Sequence, residues 1–301
     1  VLNVLLRKGS TVPDTILTVR GQAYGRNIIH LAQQKTSKIY PYVYVKSSGE
    51  ISGKTFFQDR IGQWEMSAKT TPNAVTPEND PNLSRRMSFI KTENDARLLD
   101  RSLDLQVLSD PKSQMTVAAS QSIGRTMDDE IIDKATGLAN TGETGSSTVA
   151  LPAGQIIADA GTGLTFEKVK QTNRILDDND VEKEDRTFVT SPKGIDDLLS
   201  QTEVTSSDFS SLRAIMTGSL NGMWMGFNWI MSTRLSIASD IRKCFAFHKY
   251  GICYGMLEQA YVEVDKRPDR SYSHQVYYEI NHGSVRLEEE RVVQVDIDET
   301  A

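Results

Sequence analysis

Between Asp110 and Gly137, Met115, Ala119, Ile123, Met127, Ile131 and Ala135 recur every four residues, a ladder that predicts one long helix. The spacing exceeds the 3.6-residue turn, so the apolar line drifts around the cylinder and the helix meets neighbours on more than one side. Its ends are marked: Asp110 suits the N-cap, Pro111 the first helical position, where no amide donor is needed, and Gly137 the stop. Roughly 26 residues at about 1.5 Å each make a rod of about 39 Å. Gly124 costs about 1 kcal/mol relative to alanine inside a helix, and it also permits a close crossing with another backbone. Glu130 stands four residues before Lys134 and Arg125 four before Asp129, which predicts ion pairs along the exposed face.

Ahead of this helix, short apolar pieces mixed with Gly9, Pro13, Gly21 and Gly25 read as an arm, with a brief helical stretch around Asn27 to Gln34. Ile39 to Lys46 and Lys54 to Asp59 are β-rich, and Ser47, Ser48, Gly49 and Gly53 between them predict a hairpin. Ile61 to Arg86 is polar and rich in Pro and Asn, and a strand pattern resumes from Arg86 to Thr92, so the region reads as strand, long tip, strand. Glu93 to Leu108 alternates acids with leucines at a spacing that predicts a helix feeding into the long one. Beyond the Gly, Ser and Thr connection of Thr141 to Ser147, helices are expected at Leu164 to Leu176 and Pro192 to Gln201. Strands are expected at Thr187 to Thr190, Trp224 to Thr233 and Arg242 to Lys249, which together make a separate α/β lobe. Tyr261 to Asp265, His274 to Ile280 and Arg291 to Ile297 predict closing strands, separated by Pro268, Asn281 and Gly283.

Composition narrows the classes. The 301 residues allow more than one lobe, and 38% hydrophobic with 25% charged is ordinary globular material. No apolar run approaches the ~18 residues of a membrane helix. A formal charge of −6 argues against a tight nucleic-acid clamp, so any nucleic acid nearby is contained and not gripped. Cys244 and Cys253 alone make no disulfide framework and fit a reducing compartment. The chain opens on Val1 with no initiator Met and no secretory leader, which reflects either processing or how the chain was produced.

Candidate chemistry is sparse. There is no GxSxG, HExxH, GxxxxGK[ST] or GxGxxG motif, so no catalytic, cofactor-binding or metal residue is assigned and no cofactor is expected. Cys244, His248 and Cys253 lack a fourth ligand and the tight pairing of a structural zinc site, which favours plain burial. His30, His274 and His282 have no partner that spacing identifies. Asp177, Asp178, Asp180, Glu182, Glu184 and Asp185 lack the order of a calcium loop and read as a solvated turn. Trp224, Phe227 and Trp229 read as core and not as a base-stacking platform. Gly161, Gly163 and Thr165 have the look of a phosphate cradle without its lysine.

The order of parts carries more information than any motif. LAQQKTSKI (Leu31 to Ile39), GKTFFQDRIG (Gly53 to Gly62), SRRM (Ser84 to Met87), AASQSIGRTMDDEIIDKATG in the long helix and GSVRLEEERVV (Gly283 to Val293) stand in the order seen in one branch of phage capsid proteins. Over nearly its whole length the chain resembles the major capsid proteins of tailed double-stranded DNA bacteriophages, with the Hong Kong 97-type fold. The resemblance implies an α+β fold: an N-terminal arm and first strand at 1–52, an extended loop at 53–87, and a peripheral domain with its spine helix at 88–150. An axial domain follows at 151–257, and return strands of the peripheral domain at 258–301. It implies hexamers and pentamers closed into an icosahedral shell around the genome, located in the virion and assembled in the host cytoplasm. Possible partners are scaffold, portal and decoration proteins, with no membrane. An encapsulin-like nanocompartment shell is the alternative with the same fold. Some members of the family join Lys to Asn between subunits; Lys69 lies in the extended loop, although no acid catalyst or acceptor can be assigned.

Overall fold

The structure is a computed structural model and describes residues 33–51, 53–73, 75–76, 78–99, 111–201, 223–258 and 260–300. In chain order, β1 (Tyr44–Lys46), β2 (Thr55–Ile61), β3 (Leu83–Phe89) and β4 (Lys91–Leu99) precede α1 (Pro111–Thr136), the spine. After it come β5 (Ala139–Thr141), β6 (Ser147–Val149), β7 (Ile156–Ile157), α2 (Phe166–Asp178), β8 (Arg186–Thr190) and α3 (Pro192–Ser200). The described chain closes with β9 (Met223–Trp224), β10 (Phe227–Met231), β11 (Ile237–Ala238), β12 (Ile241–His248), β13 (Ile252–Met256), β14 (Tyr261–Arg267), β15 (Ser273–Arg286) and β16 (Val292–Asp298).

Three sheets result. One has the order β1-β13-β15-β14, with β4 on the other side of β15; the second runs β7-β16-β12-β8-β10-β9, with β11 on β12; the third is β2-β3-β5-β6. The second sheet is the core of the α/β lobe: all five residues of β8 are buried, and Phe188 stacks on Trp229 at 4.6 Å and meets Phe227 edge-on at 5.7 Å. Trp224, Phe227 and Trp229 are therefore core, as their apolar setting predicts.

The spine runs 26 residues as expected, and Gly137 closes it with its N–H on the Asp133 carbonyl; Asp110, the expected cap, lies outside the described residues. Ala119, Ile123, Ile131 and Ala135 of the ladder are buried. A Cβ at Gly124 would stand 2.9 Å from the Ser37 nitrogen, so the close crossing is real: residues 36–37 pass directly over this turn. Buried Asp128 fixes the crossing by accepting from the backbone N–H groups of Lys38 (3.0 Å) and Ile39 (3.2 Å) and from the side chains of Gln34 and Ser37. The expected ion pairs along the spine are replaced by longer-range ones. Glu130, 5% exposed, pairs with Lys91 at 2.6 Å, Asp129 with Arg234, and Arg125 donates to Gln33. Lys134 reaches only its neighbour Asp133. Tertiary packing thus brings Lys91 and Arg234 within reach of Glu130 and Asp129 in place of the partners one turn away on the helix.

Four local expectations fail for one reason, that partner strands override local preference. The expected helix at 93–108 is strand β4 as far as Leu99, paired with β15 from Lys91↔His282 to Leu99↔His274; residues 100–108 lie outside the description. Neither face of β4 is buried, so pairing with β15, and not an alternating apolar face, makes this stretch a strand. The expected hairpin between Ile39–Lys46 and Lys54–Asp59 is absent: β1 pairs in parallel with β13, and β2 pairs with β3. Asn281 and Gly283 sit inside β15 instead of breaking it, and a Cβ at Gly283 would lie 2.6 Å from the Phe89 carbonyl oxygen, so this glycine admits a crossing backbone. The stretch Trp224 to Thr233 is split by a tight turn, with Met225 (φ 50°) and Gly226 (φ 78°) both left-handed as a two-residue hairpin requires. The expected ribbon, helices and remaining strands are present at Thr55–Ile61, Leu83–Phe89, Phe166–Asp178, Pro192–Ser200, Arg186–Thr190, Ile241–His248, Tyr261–Arg267 and Val292–Asp298.

Ile131 has 0% of its surface exposed, so Ile131→Asp forfeits about 2 to 3 kcal/mol of apolar burial and adds an unpaired buried carboxylate costing several more. Against a total stability of about 5 to 15 kcal/mol this prevents folding. Lys134→Ala stays within about 0.5 kcal/mol. Denaturant unfolding of the unassembled subunit, or its soluble yield, checks the contrast; equal stability of the two variants contradicts it.

Candidate assembly interface

The residues with candidate chemistry are dispersed. Cys244 lies in β12 and Cys253 in β13, in different sheets, and burial pushes their thiols up to about 11 and about 12 respectively. His248, at the end of β12, is held by Arg291 at 2.9 Å. Among the described residues no group of three or more His, Cys, Asp or Glu side chains is placed to hold a metal ion. The acidic turn is neutralised locally, Asp177 by Arg186 and Lys183, Asp178 by Arg174, and Glu182 by Arg291. Thr165 caps α2. In place of a phosphate, the loop before α2 receives the ammonium of Lys168, bound by the carbonyl oxygens of Asp159, Thr162, Gly163 and Asp296 at 2.8 to 3.1 Å. Carbonyls, and not amides, face inward there, which selects a cation. His30 lies outside the described residues, His274 lies on β15 opposite Leu99, and His282 is buried in β15.

A different kind of surface dominates the molecule. β2 and β3 form an antiparallel ribbon in register from Thr55↔Phe89 to Ile61↔Leu83, and Gly62 to Asn82 joins them as a long tip whose described residues form no helix or strand. Alternation sends Phe56 into the body, where it is buried, and leaves Phe57, Ile61, Leu83 and Phe89 exposed on the outer face. Across that face Arg85 bridges Asp59 at 2.6 Å and lies 4.3 Å over the Phe57 ring; this hydrogen bond holds the Asp59 carboxyl below its usual range. Between ribbon and β5 runs an open groove of about 810 Å³, lined by Ile61, Leu83, Arg85, Thr141 and Glu143 among others. On the tip, Trp64 is 72% exposed, Met66 97% and Val75 94%. The loop thus leaves three large apolar side chains largely to solvent.

The ribbon's inner face is tied to the body by charge. Arg86 Nη2 donates to both oxygens of Glu289 at 2.6 Å and its Nε to the Leu287 carbonyl, which also accepts from Arg60. Arg286, fully buried, approaches Glu289 at 3.5 Å and donates to the carbonyls of Ala135 and Gly137 at the end of the spine and of Val149 in β6. Burial pulls both guanidinium pKa values down, and Glu289 opposes that pull. These arginines, Glu289, Asp128 and Lys168 were not identifiable as a site by motif. The available signal was a charge set inside an apolar run, as in SVRLEE and TMDDEII.

Comparison with known proteins decides what this surface belongs to. A family model described as phage capsid protein matches residues 17–299. The chain belongs to that family. No curated protein matches it. Among solved structures, the capsid of the cyanophage P-SCSP1u superposes with a TM-score of 0.69 at 17% identity, covering 91% of each chain. The capsid of Ralstonia phage GP4 gives 0.72 at 10% identity, over 99% of this chain and 98% of that one. A structure from Mycobacterium phage Che8 gives 0.67 at 15% identity, over 98% of this chain and all of the other. The Hong Kong 97-type fold is thus shared from end to end, and the capsid protein reading stands over the encapsulin alternative. For a structural capsid protein located in the virion, dispersed chemistry and an exposed apolar loop are the expected combination.

Two outcomes follow for the capsid protein. Glu289→Gln, which leaves buried guanidinium groups without their carboxylate, lowers subunit stability by on the order of 3 to 5 kcal/mol. Asp59→Asn, which breaks a solvated pair, moves the urea midpoint far less, and the two midpoints separate the cases. His282 is fully buried against the Tyr254 hydroxyl at 2.9 Å, and burial lowers its pKa. Only Glu93 opposes that shift while Lys91 reinforces it. Its folded pKa lies below the unfolded ~6.5, so the unfolded chain binds the extra proton. Stability is complete above about pH 6.5 and falls as the pH drops below it, by up to about 1.4 kcal/mol per pH unit for this group. His282→Gln flattens that part of the curve, read as melting midpoint between pH 5 and 7.

Proposed function

We propose that this capsid protein assembles, through predominantly non-covalent contacts, into hexamers and pentamers of an icosahedral head shell enclosing the double-stranded DNA of a tailed bacteriophage. The observation that carries the reading is the tip at 62–82, whose Trp64, Met66 and Val75 stay largely exposed among the described residues. Each such side chain is worth about 1.5 to 3 kcal/mol when fully buried, before the cost of ordering the loop. A subunit held by several neighbours meets every contact at high effective concentration, so modest contacts suffice. An uncrosslinked lattice needs no reactive centre, cofactor or metal, and Lys69 remains an exposed residue of the tip.

Residues 53–87 serve in this reading as the extended loop, 88–150 with 258–301 as the peripheral domain, and 151–257 as the axial domain. β16 pairs with β12, so the last strand also holds the axial lobe. The formal charge of −6 suits a container that packs DNA without specific binding and releases it. Assembly in the host cytoplasm with scaffold, portal and decoration proteins belongs to the same proposal. Deleting residues 70–82 leaves the subunit folded and blocks shell formation, by light scattering and electron micrographs. Normal shells from the deletion contradict the role given to the tip, and an unaltered chain that stays monomeric even with co-expressed phage partners contradicts the shell.

A further inference from the structure

The loop at 159–163, between β7 and α2, gathers backbone oxygens around one point. The carbonyls of Asp159, Thr162 and Gly163 meet there with that of Asp296 in β16, and the Lys168 ammonium donates to all four at 2.8 to 3.1 Å. Lys168 is 6% exposed, and its three N–H donors serve four acceptors, so the oxygens enclose a charge and not a set of three directed bonds. These distances suit hydrogen bonds from an ammonium and exceed the ~2.3 to 2.6 Å that calcium demands, so the spacing selects a large monovalent cation. Burial pulls the Lys168 pKa down, and the nearby charges of Asp159, Asp296 and Asp197 oppose that. The cage owes its shape to other contacts. Ala160 (φ 50°) and Gly161 (φ 62°) are both left-handed, and their turn is closed by the Thr162 N–H on the Asp159 carbonyl and the Gly161 N–H on the Asp159 carboxylate, each at 3.0 Å. The Asp298 N–H holds the Thr162 carbonyl at 3.1 Å, and pairing of β16 with β12 fixes Asp296. Removing the ammonium leaves four carbonyl dipoles aimed at one point with no donor, beside a loop whose Ala160, Gly161 and Thr162 are open to solvent.

We propose that this loop is a binding site for a monovalent cation of ammonium size, whose ligand the chain itself supplies as the Lys168 side chain. Tethering gives the cation a high effective concentration, so the site is filled whatever the salt. Filled, it joins the loop and α2 to the last strand through the Asp296 carbonyl. The inference concerns the single subunit and is independent of assembly.

Chemical rescue of the full chain, as unassembled subunit, tests it. Lys168→Ala removes the ammonium and opens the space its stem fills, whereas Lys168→Met removes the charge and keeps a stem. Melting midpoints are read at pH 7 in tetramethylammonium chloride, whose cation is too large for the cage, and in ammonium chloride at the same ionic strength. In the first salt Lys168→Ala melts below the unaltered protein. In the second its midpoint rises by about 2 to 4 °C more than those of the unaltered protein and of Lys168→Met, which report the general action of the salt. Equal shifts in the three proteins overturn the site, as does a Lys168→Ala protein that melts like the unaltered one without ammonium. Folding of Lys168→Ala in ammonium chloride alone supports the site, and failure to fold in either salt overturns it. A second measurement needs no variant: in a pulse of acetic anhydride read by mass spectrometry, Lys168 of the unaltered protein reacts about tenfold more slowly than exposed Lys170, because its reaction requires a local opening. Equal rates at the two lysines overturn the cage.

Discussion

A single buried carboxylate holds three parts of this protein in one arrangement. Glu289 stands on the turn between β15 and β16, and through Arg86 and Arg286 it joins the inner face of the β2–β3 ribbon to the end of the spine and to β6. Removing charges from water is expensive, and the attraction between them recovers that cost only when geometry is good and other donors are satisfied. Here the guanidinium groups also bind the carbonyls of Leu287, Ala135, Gly137 and Val149, so the ends of the spine and of two strands are satisfied by the same side chains. A purely apolar joint would hold these parts together without dictating the angle at which the ribbon leaves the body. Directional hydrogen bonds dictate it.

For a capsid protein that distinction matters more than total stability. A shell closes only if each subunit presents its loop at the angle its neighbours require, and a flexible base would spread the tip over many positions at an entropic cost. The remaining buried charges do similar work. Asp128 anchors residues 34–39 across the spine at Gly124, where only a missing side chain lets two backbones approach. Lys168 locks the loop ahead of α2 to β16 by donating to four carbonyls. These contacts pin down segments that apolar packing alone leaves adjustable.

The division between what was legible and what was not follows the range of the forces. Local periodicity and end signals determined the spine, the ribbon with its long tip, the two short helices and most closing strands, because burial of a repeated face and the geometry of Pro and Gly act within a few residues. The collinear order of those parts determined the capsid fold. Partner choice was decided by the tertiary structure alone. β4 carries a pattern equally compatible with a helix until β15 supplies its ladder, β1 finds β13 instead of β2, and Gly283 continues a strand because a neighbouring backbone crosses there. The charged joint was invisible for the same reason: Arg86 and Glu289 are separated by about two hundred residues, and a lone charge inside an apolar run does not name the partner that neutralises it. Sequence sets which faces are apolar and where the chain turns. Which buried charges meet is set only when the folded backbone brings them within a few ångströms, where removal from water makes every unmatched charge costly.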